Sequence, residues 1–179
     1  MKFEFLKAEI PDVIYIKKNF FSDVRGTLIK EYETTPFSET IGEHFLEEYI
    51  SISKQNVLRG LHLQQEPKPQ GKLITVISGE IFDVAVDLRE HSPYYMKYVS
   101  RYLNAVSNES IWIPPGFAHG FLSLSENSIV LNRCTNEIEP LLERGVRWDD
   151  PSLKIKWPSV KPILSEKDKK WPLLMSNTV

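Results

Sequence analysis

EIFDVAVDL, residues 80–88, carries the clearest structural signal in the chain. Its residues alternate between two faces, which is the period of a β-strand and not of a helix. One face holds Phe82, Val84, Val86 and Leu88, and the other holds Ile81, Asp83, Ala85 and Asp87. The segment therefore predicts a strand with one fully apolar face and with two aspartates together on the opposite face.

Similar short runs, rich in Val, Ile, Tyr and Phe, recur along the chain between turn residues. They occupy 12–18, 26–32, 46–53, 72–78, 97–103, 110–114, 120–124 and 128–135. This rhythm predicts an all-β fold, either an antiparallel sandwich or a barrel. Weak helical character is confined to 36–43 and 165–171, and Ser165 is a candidate cap for the second segment.

The chain has 179 residues without repeats, linkers or low-complexity segments, so we expect one domain over 1–179. The part from Trp148 to Trp171 is rich in proline. It is expected to form an ordered but irregular strap that wraps the sheet. Such a strap could deliver a side chain to a pocket.

The charges are nearly balanced, with 22 Lys and Arg against 24 Asp and Glu. This balance argues against nucleic acid or an anionic membrane as a partner, so any phosphate binding has to be local. The single cysteine, Cys134, excludes an internal disulfide and is expected to be a buried strand residue. Neither an export signal nor an apolar run of membrane-spanning length is present, which predicts a cytoplasmic protein.

The segment NVLRGLHLQ, residues 56–64, suggests proton chemistry beside an anion. His62 can accept a proton near neutral pH, Arg59 can bind phosphate, and the nearby Lys72 can stabilise negative charge on an oxygen. In a regular strand, one face would hold Leu58, Gly60, His62 and Gln64, and the glycine would leave room for a ligand. Arg59 would then point to the other face or lie at the rim of the strand. On spacing alone, a packed histidine, a solvated arginine and an ordinary edge lysine stay open as alternatives.

The segment WIPPGFAHGF, residues 112–121, matches the P-x-G-x-x-H half of the cupin signature. In cupins such a histidine is often a metal ligand, together with an H-x-H pair on an earlier strand. The earlier position here reads His62-Leu63-Gln64, so the second histidine is missing. A metal site is therefore not expected, and His119 either hydrogen-bonds a substrate or packs as a structural histidine.

Several separated motifs together resemble the dTDP-4-dehydrorhamnose 3,5-epimerase family of nucleotide-sugar epimerases. The motifs are FSDVRG (21–26), VLRGLHLQ (57–64), GEIFDVAVDLR (79–89), IPPGFAHGF (113–121), ERGVRWDDP (143–151) and LSEKD (164–168). The resemblance implies a cupin-type jelly roll with short peripheral helices, catalysis without a metal or cofactor, and a homodimer. The apolar segment 3–6 could pair with the sheet edge of the partner.

Carried over residue by residue, the resemblance implies that His62 is the general base, which removes a proton beside a 4-keto group. Asp168 resembles the partner that holds the imidazole, although its local sequence alone reads as a solvated charged turn. Lys72 resembles the residue that stabilises the enolate. The substrate-binding residues are then Arg25 and Arg59 as diphosphate clamps, with His119, Glu143, Glu47, Tyr49 and Gln64.

One departure from the family pattern affects the catalytic acid. The family carries a tyrosine, regarded as the general acid, where this chain has Asn132. An asparagine can hydrogen-bond but is not a proton donor of comparable acidity. We therefore expect inversion at C3 to survive, with water or another group delivering the proton, and inversion at C5 to be weak or lost.

A second departure affects the nucleotide base. The family has an aromatic residue about where Ile138 lies, and a glutamine and an asparagine about where Glu47 and Tyr49 lie. The pocket that reads thymine is therefore expected to be altered. GDP in place of dTDP, or a differently shaped sugar, is the resulting prediction.

The leading hypothesis is thus an epimerase of a nucleotide-diphosphate-linked 4-keto sugar. By resemblance it would serve deoxysugar or modified-heptose biosynthesis for a surface polysaccharide such as a capsule. The alternatives are a full 3,5-epimerase, a nucleotide-sugar 3,4-ketoisomerase and a non-catalytic nucleotide-sugar binding protein. A binding protein, however, has no need of the pair formed by His62 and Asp168.

Overall fold

The computed structural model describes residues 2–158 and 161–174. Within these residues the chain forms thirteen β-strands, one α-helix and one 3-10 turn. The strands are β1 (Phe3–Lys7), β2 (Ile14–Lys18), β3 (Phe20–Asp23), β4 (Gly26–Ile29), β5 (Glu47–Lys54), β6 (Leu58–Gln64), β7 (Lys72–Ser78), β8 (Glu80–Asp87), β9 (Tyr98–Asn104), β10 (Glu109–Ile113), β11 (Phe117–Ser123), β12 (Asn127–Cys134) and β13 (Glu143–Gly145). Helix α1 spans Thr34–Ile41, and the 3-10 turn spans Asp168–Lys170.

The strands form two sheets that pack face to face. One sheet has six strands in the order β1-β2-β10-β7-β12-β5, and the other has five in the order β13-β6-β11-β8-β9. Strands β3 and β4 form a separate hairpin. In the described part of the chain, all pairings between these strands are antiparallel. The prediction of an all-β antiparallel sandwich is confirmed.

Strand β8, which carries the alternating segment, is buried on both faces. Ile81 and Ala85 pack in the core between the sheets, whereas Phe82, Val84 and Val86 belong to a second cluster on the outer side. This outer side is covered by Val146 and by residues of the strap, which include Trp148, Leu153 and Trp157. The predicted strap is thus confirmed for its described residues, and 159–160 lie outside them. The face with Asp83 and Asp87 is the interior face, and both carboxylates are fully buried.

Some elements differ from the sequence-based predictions. β1, β3 and β13 were not predicted as strands, because each is short and lacks a buried alternating pattern. β1 pairs with β2 of its own chain and has its other side at the sheet edge, so pairing with a partner there stays a prediction. The predicted helix 36–43 is found at Thr34–Ile41, and 165–171 contains only the short 3-10 turn. Ser165 does cap this turn, since its hydroxyl accepts a hydrogen bond from the Asp168 N–H at 3.0 Å.

Within the described residues, no helix is both long enough and apolar enough to cross a membrane.

Strand β6 breaks the regular alternation that its sequence suggested. In its pairing with β11, His62 is opposite His119, whereas Arg59 is opposite Phe121, so three residues of β6 span the length of two on β11. This is a β-bulge. Its effect is that Arg59 and His62 face the same cavity, while Leu58 packs on the outer side of the sheet. The prediction that Leu58 and His62 share a face, with Arg59 opposite, is therefore wrong.

Gly60 has a different role from the one predicted for it. It has a φ of +128°, and a Cβ at this position would lie 2.5 Å from the Gly120 Cα. A Cβ on Gly120 would in turn lie 2.6 Å from the carbonyl oxygen of Arg59. The two glycines therefore allow the backbones of β6 and β11 to touch at the bulge. The space beside Gly60 belongs to the neighbouring strand and not to a ligand.

This contact predicts a large stability loss for Gly60→Ala. We expect the free energy of unfolding to fall by about 3 kcal/mol, because the methyl group adds a backbone clash to an unfavourable φ. Gly26→Ala is the matched control, since Gly26 has a similar φ of +122° but open space around it. This control should lose only about 1 kcal/mol. Urea denaturation measures both, and equal losses would contradict the proposed contact.

Candidate active site

A cavity of about 410 Å³ opens between the two sheets. This volume is in the range of small-molecule sites. Its lining comprises Tyr49, Ser51, Arg59, His62, Lys72, His119, Phe121, Asn132, Glu143, Ser165, Lys167 and Asp168. The fold therefore brings most of the predicted site residues together. Of those predicted, Arg25, Glu47 and Gln64 do not line this cavity.

His62 and Asp168 form a tight pair at the cavity wall. They are 106 residues apart in sequence, yet His62 Nε2 and Asp168 Oδ1 are separated by 2.5 Å. The strap brings Asp168 to this position, where its side chain is almost fully buried. The same oxygen accepts a hydrogen bond from Trp171 Nε1 at 3.3 Å, and the Trp171 indole packs edge-on against the His62 ring. Asp168 is thereby fixed from two sides.

The protonation of this pair follows from its surroundings. Burial by itself raises the pKa of Asp168, but the hydrogen bonds and charge of His62, with Ser165 and Trp171, outweigh it and lower the pKa below its usual value. An ionised carboxylate only accepts hydrogen bonds, so His62 carries its proton on Nε2. The free lone pair is then on Nδ1. This nitrogen is the atom that can accept a proton.

Glu143 lies beside this free nitrogen. Its Oε1 is 3.6 Å from His62 Nδ1, and its Oε2 accepts a hydrogen bond from Lys167 Nζ at 2.7 Å. The Glu143 carboxylate therefore faces the nitrogen of His62 that is not bonded to Asp168. Lys167 was not predicted from the sequence, because it belongs to an ordinary run of charged residues. Only the fold places its ammonium group at the cavity.

Lys72 begins β7 and lies opposite Cys134 of β12. Burial lowers the pKa of the Lys72 ammonium, although Cys134, Glu143 and Asp83 nearby act in the opposite direction. Burial also raises the pKa of the Cys134 thiol to about 11. The prediction that Cys134 is a buried strand residue is confirmed. Lys72 lines the cavity, where its ammonium form would stabilise developing charge on an oxygen.

His119 makes a second histidine–aspartate pair. Its Nε2 is 2.7 Å from Asp83 Oδ2, and Asp83 is fully buried. The other oxygen, Asp83 Oδ1, has no hydrogen-bond partner among the described residues. The sequence did place Asp83 on the interior face of β8, but the alternation gave no sign that it contacts His119. The second aspartate of that face, Asp87, binds Arg89 and Ser92 instead.

Arg59 reaches across the cavity wall to β5. Its Nε donates to Ser53 Oγ at 2.9 Å, and its Nη2 donates to the carbonyl oxygen of Ile52 at 3.2 Å. A guanidinium has five N–H donors, so it retains donors for an anion after these contacts. Its predicted role as a diphosphate clamp agrees with this position but stays a prediction.

Three predicted residues are placed elsewhere. Arg25 is on the β3–β4 hairpin, where its side chain is 83% exposed and bound to Asp23. Glu47 accepts a hydrogen bond from the backbone N–H of Ile138 at 2.9 Å. The amide of Gln64 makes three hydrogen bonds, all to backbone groups, at Lys68, Glu137 and Glu139. In the single chain these residues hold protein structure, and their substrate contacts stay predictions.

No group of three or more His, Cys, Asp or Glu side chains within 2–158 and 161–174 is arranged to hold a metal ion.

The two packed sheets match the cupin-like β-sandwich fold of solved sugar epimerases. The sequence model described as dTDP-4-dehydrorhamnose 3,5-epimerase matches residues 7–176. The chain belongs to this family and is accordingly an isomerase of the carbohydrate epimerase class. The predicted family, enzyme class and cupin-like fold are confirmed.

Individual relatives agree. The chain is 44% identical to dTDP-4-dehydrorhamnose 3,5-epimerase of Salmonella typhimurium, over 94% of each chain. It is 42% identical to the protein of the same name from Methanothermobacter thermautotrophicus, over 99% of this chain and 98% of the relative. Among solved structures, it is similar to the Legionella pneumophila dTDP-6-deoxy-D-glucose-3,5-epimerase in complex with dTDP-4-keto-L-rhamnose. The TM-score is 0.93 at 35% identity, over 97% of this chain and 94% of that one.

A further similarity is to ChmJ, a 3′-monoepimerase from Streptomyces bikiniensis, whose structure was solved in complex with dTDP-quinovose. The TM-score is 0.89 at 27% identity, over 94% of this chain and 87% of that one. Proteins of similar structure therefore include ones described as double and as single epimerases.

The pair of His62 and Asp168 predicts the effect of Asp168→Asn. We expect kcat to fall by about 10²- to 10⁴-fold with little change in KM, because an amide no longer fixes the proton on Nε2. Steady-state epimerisation assays measure this effect. Glu166→Gln, on the exposed side of the same turn, is the matched control and should retain activity.

Asp168→Asn is also expected to change how the stability of the fold depends on pH. Because the pKa of Asp168 is lowered in the folded state, its ionised form stabilises the fold above the ordinary carboxyl pKa of about 4. This stabilisation is lost as the pH falls through the folded-state value. The stability difference between wild type and Asp168→Asn should therefore shrink in acid. An Asp168→Asn enzyme with nearly full kcat would contradict the role of the pair.

Proposed function

We propose that this enzyme inverts the carbon beside the 4-keto group of a nucleotide-diphosphate sugar. The observation that carries the proposal is the pairing of His62 with buried Asp168 in a cavity that also contains Lys72 and Arg59. A ketone makes the adjacent C–H acidic only if the enolate oxygen is stabilised. His62 Nδ1 takes the proton, the Lys72 ammonium faces the enolate oxygen, and Arg59 holds the diphosphate.

Inversion at C3, with weak or absent inversion at C5, is the more specific part of the proposal. Asn132 lines the cavity, but its amide cannot donate a proton as a phenol can. The ChmJ structure with dTDP is a double mutant at a histidine and a tyrosine that are 70 residues apart, as are His62 and Asn132 here. This spacing supports the assignment of position 132 to the tyrosine of the family.

For the nucleotide, we favour dTDP over the GDP that the sequence departures suggested. The relatives that are 41–44% identical carry names with dTDP. Two of the three residues that depart from the family pattern also have contacts that favour other roles. Tyr49 lines the catalytic cavity, and Glu47 binds the backbone of Ile138. The product would enter deoxysugar or modified-heptose biosynthesis for a surface polysaccharide, in the cytoplasm.

Incubation in deuterated water tests this function. The same 4-keto-6-deoxyhexose is supplied linked either to dTDP or to GDP. We expect C3 to take up solvent deuterium and to be inverted, and we expect the dTDP-linked sugar to react faster. Inversion at C5 should be at least roughly tenfold slower than inversion at C3, because position 132 has no acid. NMR locates the deuterium, and His62→Asn should abolish exchange.

The other outcomes identify the alternatives. Equal inversion at C5 would point to a full 3,5-epimerase. Migration of the carbonyl to C3 would point to a ketoisomerase. An absence of exchange above background would point to a binding protein. Faster reaction of the GDP-linked sugar would instead support GDP as the nucleotide, as the sequence departures suggested.

We also propose that the enzyme is a homodimer in which the β3–β4 hairpin docks on the partner. The hairpin is outside both sheets and exposes Phe20, Phe21 and Leu28. Exposed aromatic and aliphatic side chains of this kind mark interaction surfaces. Arg25 on the same hairpin is far too exposed to line the cavity of its own chain. Its predicted role as a diphosphate clamp is therefore assigned to the cavity of the second copy.

Co-expression of two inactive variants tests the arrangement. Arg25→Ala removes the clamp that a subunit gives to its partner, whereas His62→Asn removes the base of its own cavity. Mixed dimers then contain one intact site, so roughly a quarter of all sites should be active in an equal mixture. Co-expressed His62→Asn and Asp168→Asn are the control, because both defects are in the same cavity. Activity no higher than in this control would contradict docking in trans.

A further inference from the structure

We propose that Tyr49 is the proton donor that completes the inversion begun by His62. The inference rests on the proposed function and identifies the acid that Asn132 cannot supply. It assigns Tyr49 to the reacting carbon and no longer to the nucleotide base.

The first support is the register of β5 and β12. Tyr49 and Asn132 are directly opposed in this strand pair, and both line the cavity. Directly opposed side chains point to the same side of a sheet, with Cβ atoms roughly 5 Å apart. The family pattern has an asparagine at position 49 and a tyrosine at 132, so this chain carries the same two residue types with their positions exchanged. A phenol still enters the cavity, one strand further along the sheet.

The second support is the position of Tyr49 relative to the base. Tyr49 is on the six-stranded sheet, and His62 is on the five-stranded sheet that forms the opposite wall. Inversion requires that the proton leave from one face of the sugar and return to the other. A ring bound between the sheets would have the imidazole on one face and the phenol on the other.

The third support comes from the other groups that line the cavity. Glu143, Lys167 and Asp168 cluster around His62 and are therefore on the side of the base. His119 is on the same sheet as His62, directly opposite it in the β6–β11 pairing. A guanidinium does not release its proton in a protein, which excludes Arg59. The Ser51 hydroxyl and the Asn132 amide, also on the facing sheet, are much weaker acids than a phenol. Among the described lining residues of that sheet, this leaves Tyr49 and Lys72, and Lys72 is needed at the enolate oxygen.

The surroundings of Tyr49 fit a donor. Burial is the largest cause that raises the pKa of its phenol. Cys134, which is hydrogen-bonded to the hydroxyl, raises this pKa further. The phenol therefore holds its proton at neutral pH. An enolate carbon is a much stronger base than a phenolate, so transfer is favourable even from a phenol of raised pKa. The Lys72 ammonium lines the same cavity and can stabilise the tyrosinate that results.

The proton balance is complete without a cofactor. The C–H bond breaks as His62 Nδ1 takes the proton, and the electron pair passes to the enolate. The O–H bond of Tyr49 then breaks as the new C–H bond forms on the opposite face. The enzyme is left with an imidazolium and a tyrosinate. Exchange of protons with water restores both groups.

Tyr49→Phe separates the two halves of the reaction. In deuterated water we expect inversion to fall about 10²- to 10⁴-fold, whereas deuterium wash-in at the same carbon of unconverted substrate stays within about threefold of wild type. His62 can still remove a proton and return a deuteron to the same face. Tyr102→Phe is the matched control, because Tyr102 is exposed on β9, away from the cavity. It should change neither rate.

A second variant tests the exchanged positions. Tyr49→Asn should lose inversion, and adding Asn132→Tyr to it should recover at least about tenfold, because the phenol returns by the opposed strand. Unchanged inversion in Tyr49→Phe, or an equal loss of wash-in and inversion, would overturn the assignment of Tyr49 as donor. An absence of wash-in in wild type would instead overturn the proposed function itself.

Discussion

The cavity depends on a contact between two glycine backbones, Gly60 on β6 and Gly120 on β11. Because neither residue has a Cβ, the strands approach closely enough for β6 to bulge. The bulge turns Arg59 and His62 toward the same side, although a regular strand would place them on opposite faces. The proposed phosphate-binding cation and the proposed base thus come from one short segment. The absence of a side chain at two positions thus gives an arrangement that a regular strand would not give.

The polar groups of the cavity are divided between its walls. The five-stranded sheet and the strap provide carboxylates next to histidines, with Asp168 and Glu143 around His62 and Asp83 at His119. The six-stranded sheet provides groups that hold protons, Lys72 and Tyr49. One wall therefore favours uptake of a proton, and the other favours donation of a proton and stabilisation of an anion. This polarity matches a reaction in which a proton crosses the plane of a sugar ring.

Periodicity identified most of the fold, since strands with a buried face alternate visibly, as in 80–88. It could not identify β1 or β13, which are short, nor the bulge, because a glycine in a strand does not say which neighbour approaches it. His62, Arg59 and Lys72 were recognisable by residue type and proximity in sequence. Asp168 was not, because Ser-Glu-Lys-Asp-Lys-Lys reads as a solvated turn, and only resemblance to a family indicated its role. The hydrogen bonds of the Gln64 amide to backbone groups could not be predicted either, because two of them join residues 73 and 75 positions apart in sequence.

The bond between His62 and Asp168 joins the sixth strand to the last ordered turn described in the strap. Because Asp168 follows the thirteen described strands in the sequence, it is synthesised after both sheets. Until the strap contributes this carboxylate, the His62 imidazole can rotate and carry its proton on either nitrogen. The orientation of the proposed base thus depends on one of the last described parts of the chain to be synthesised.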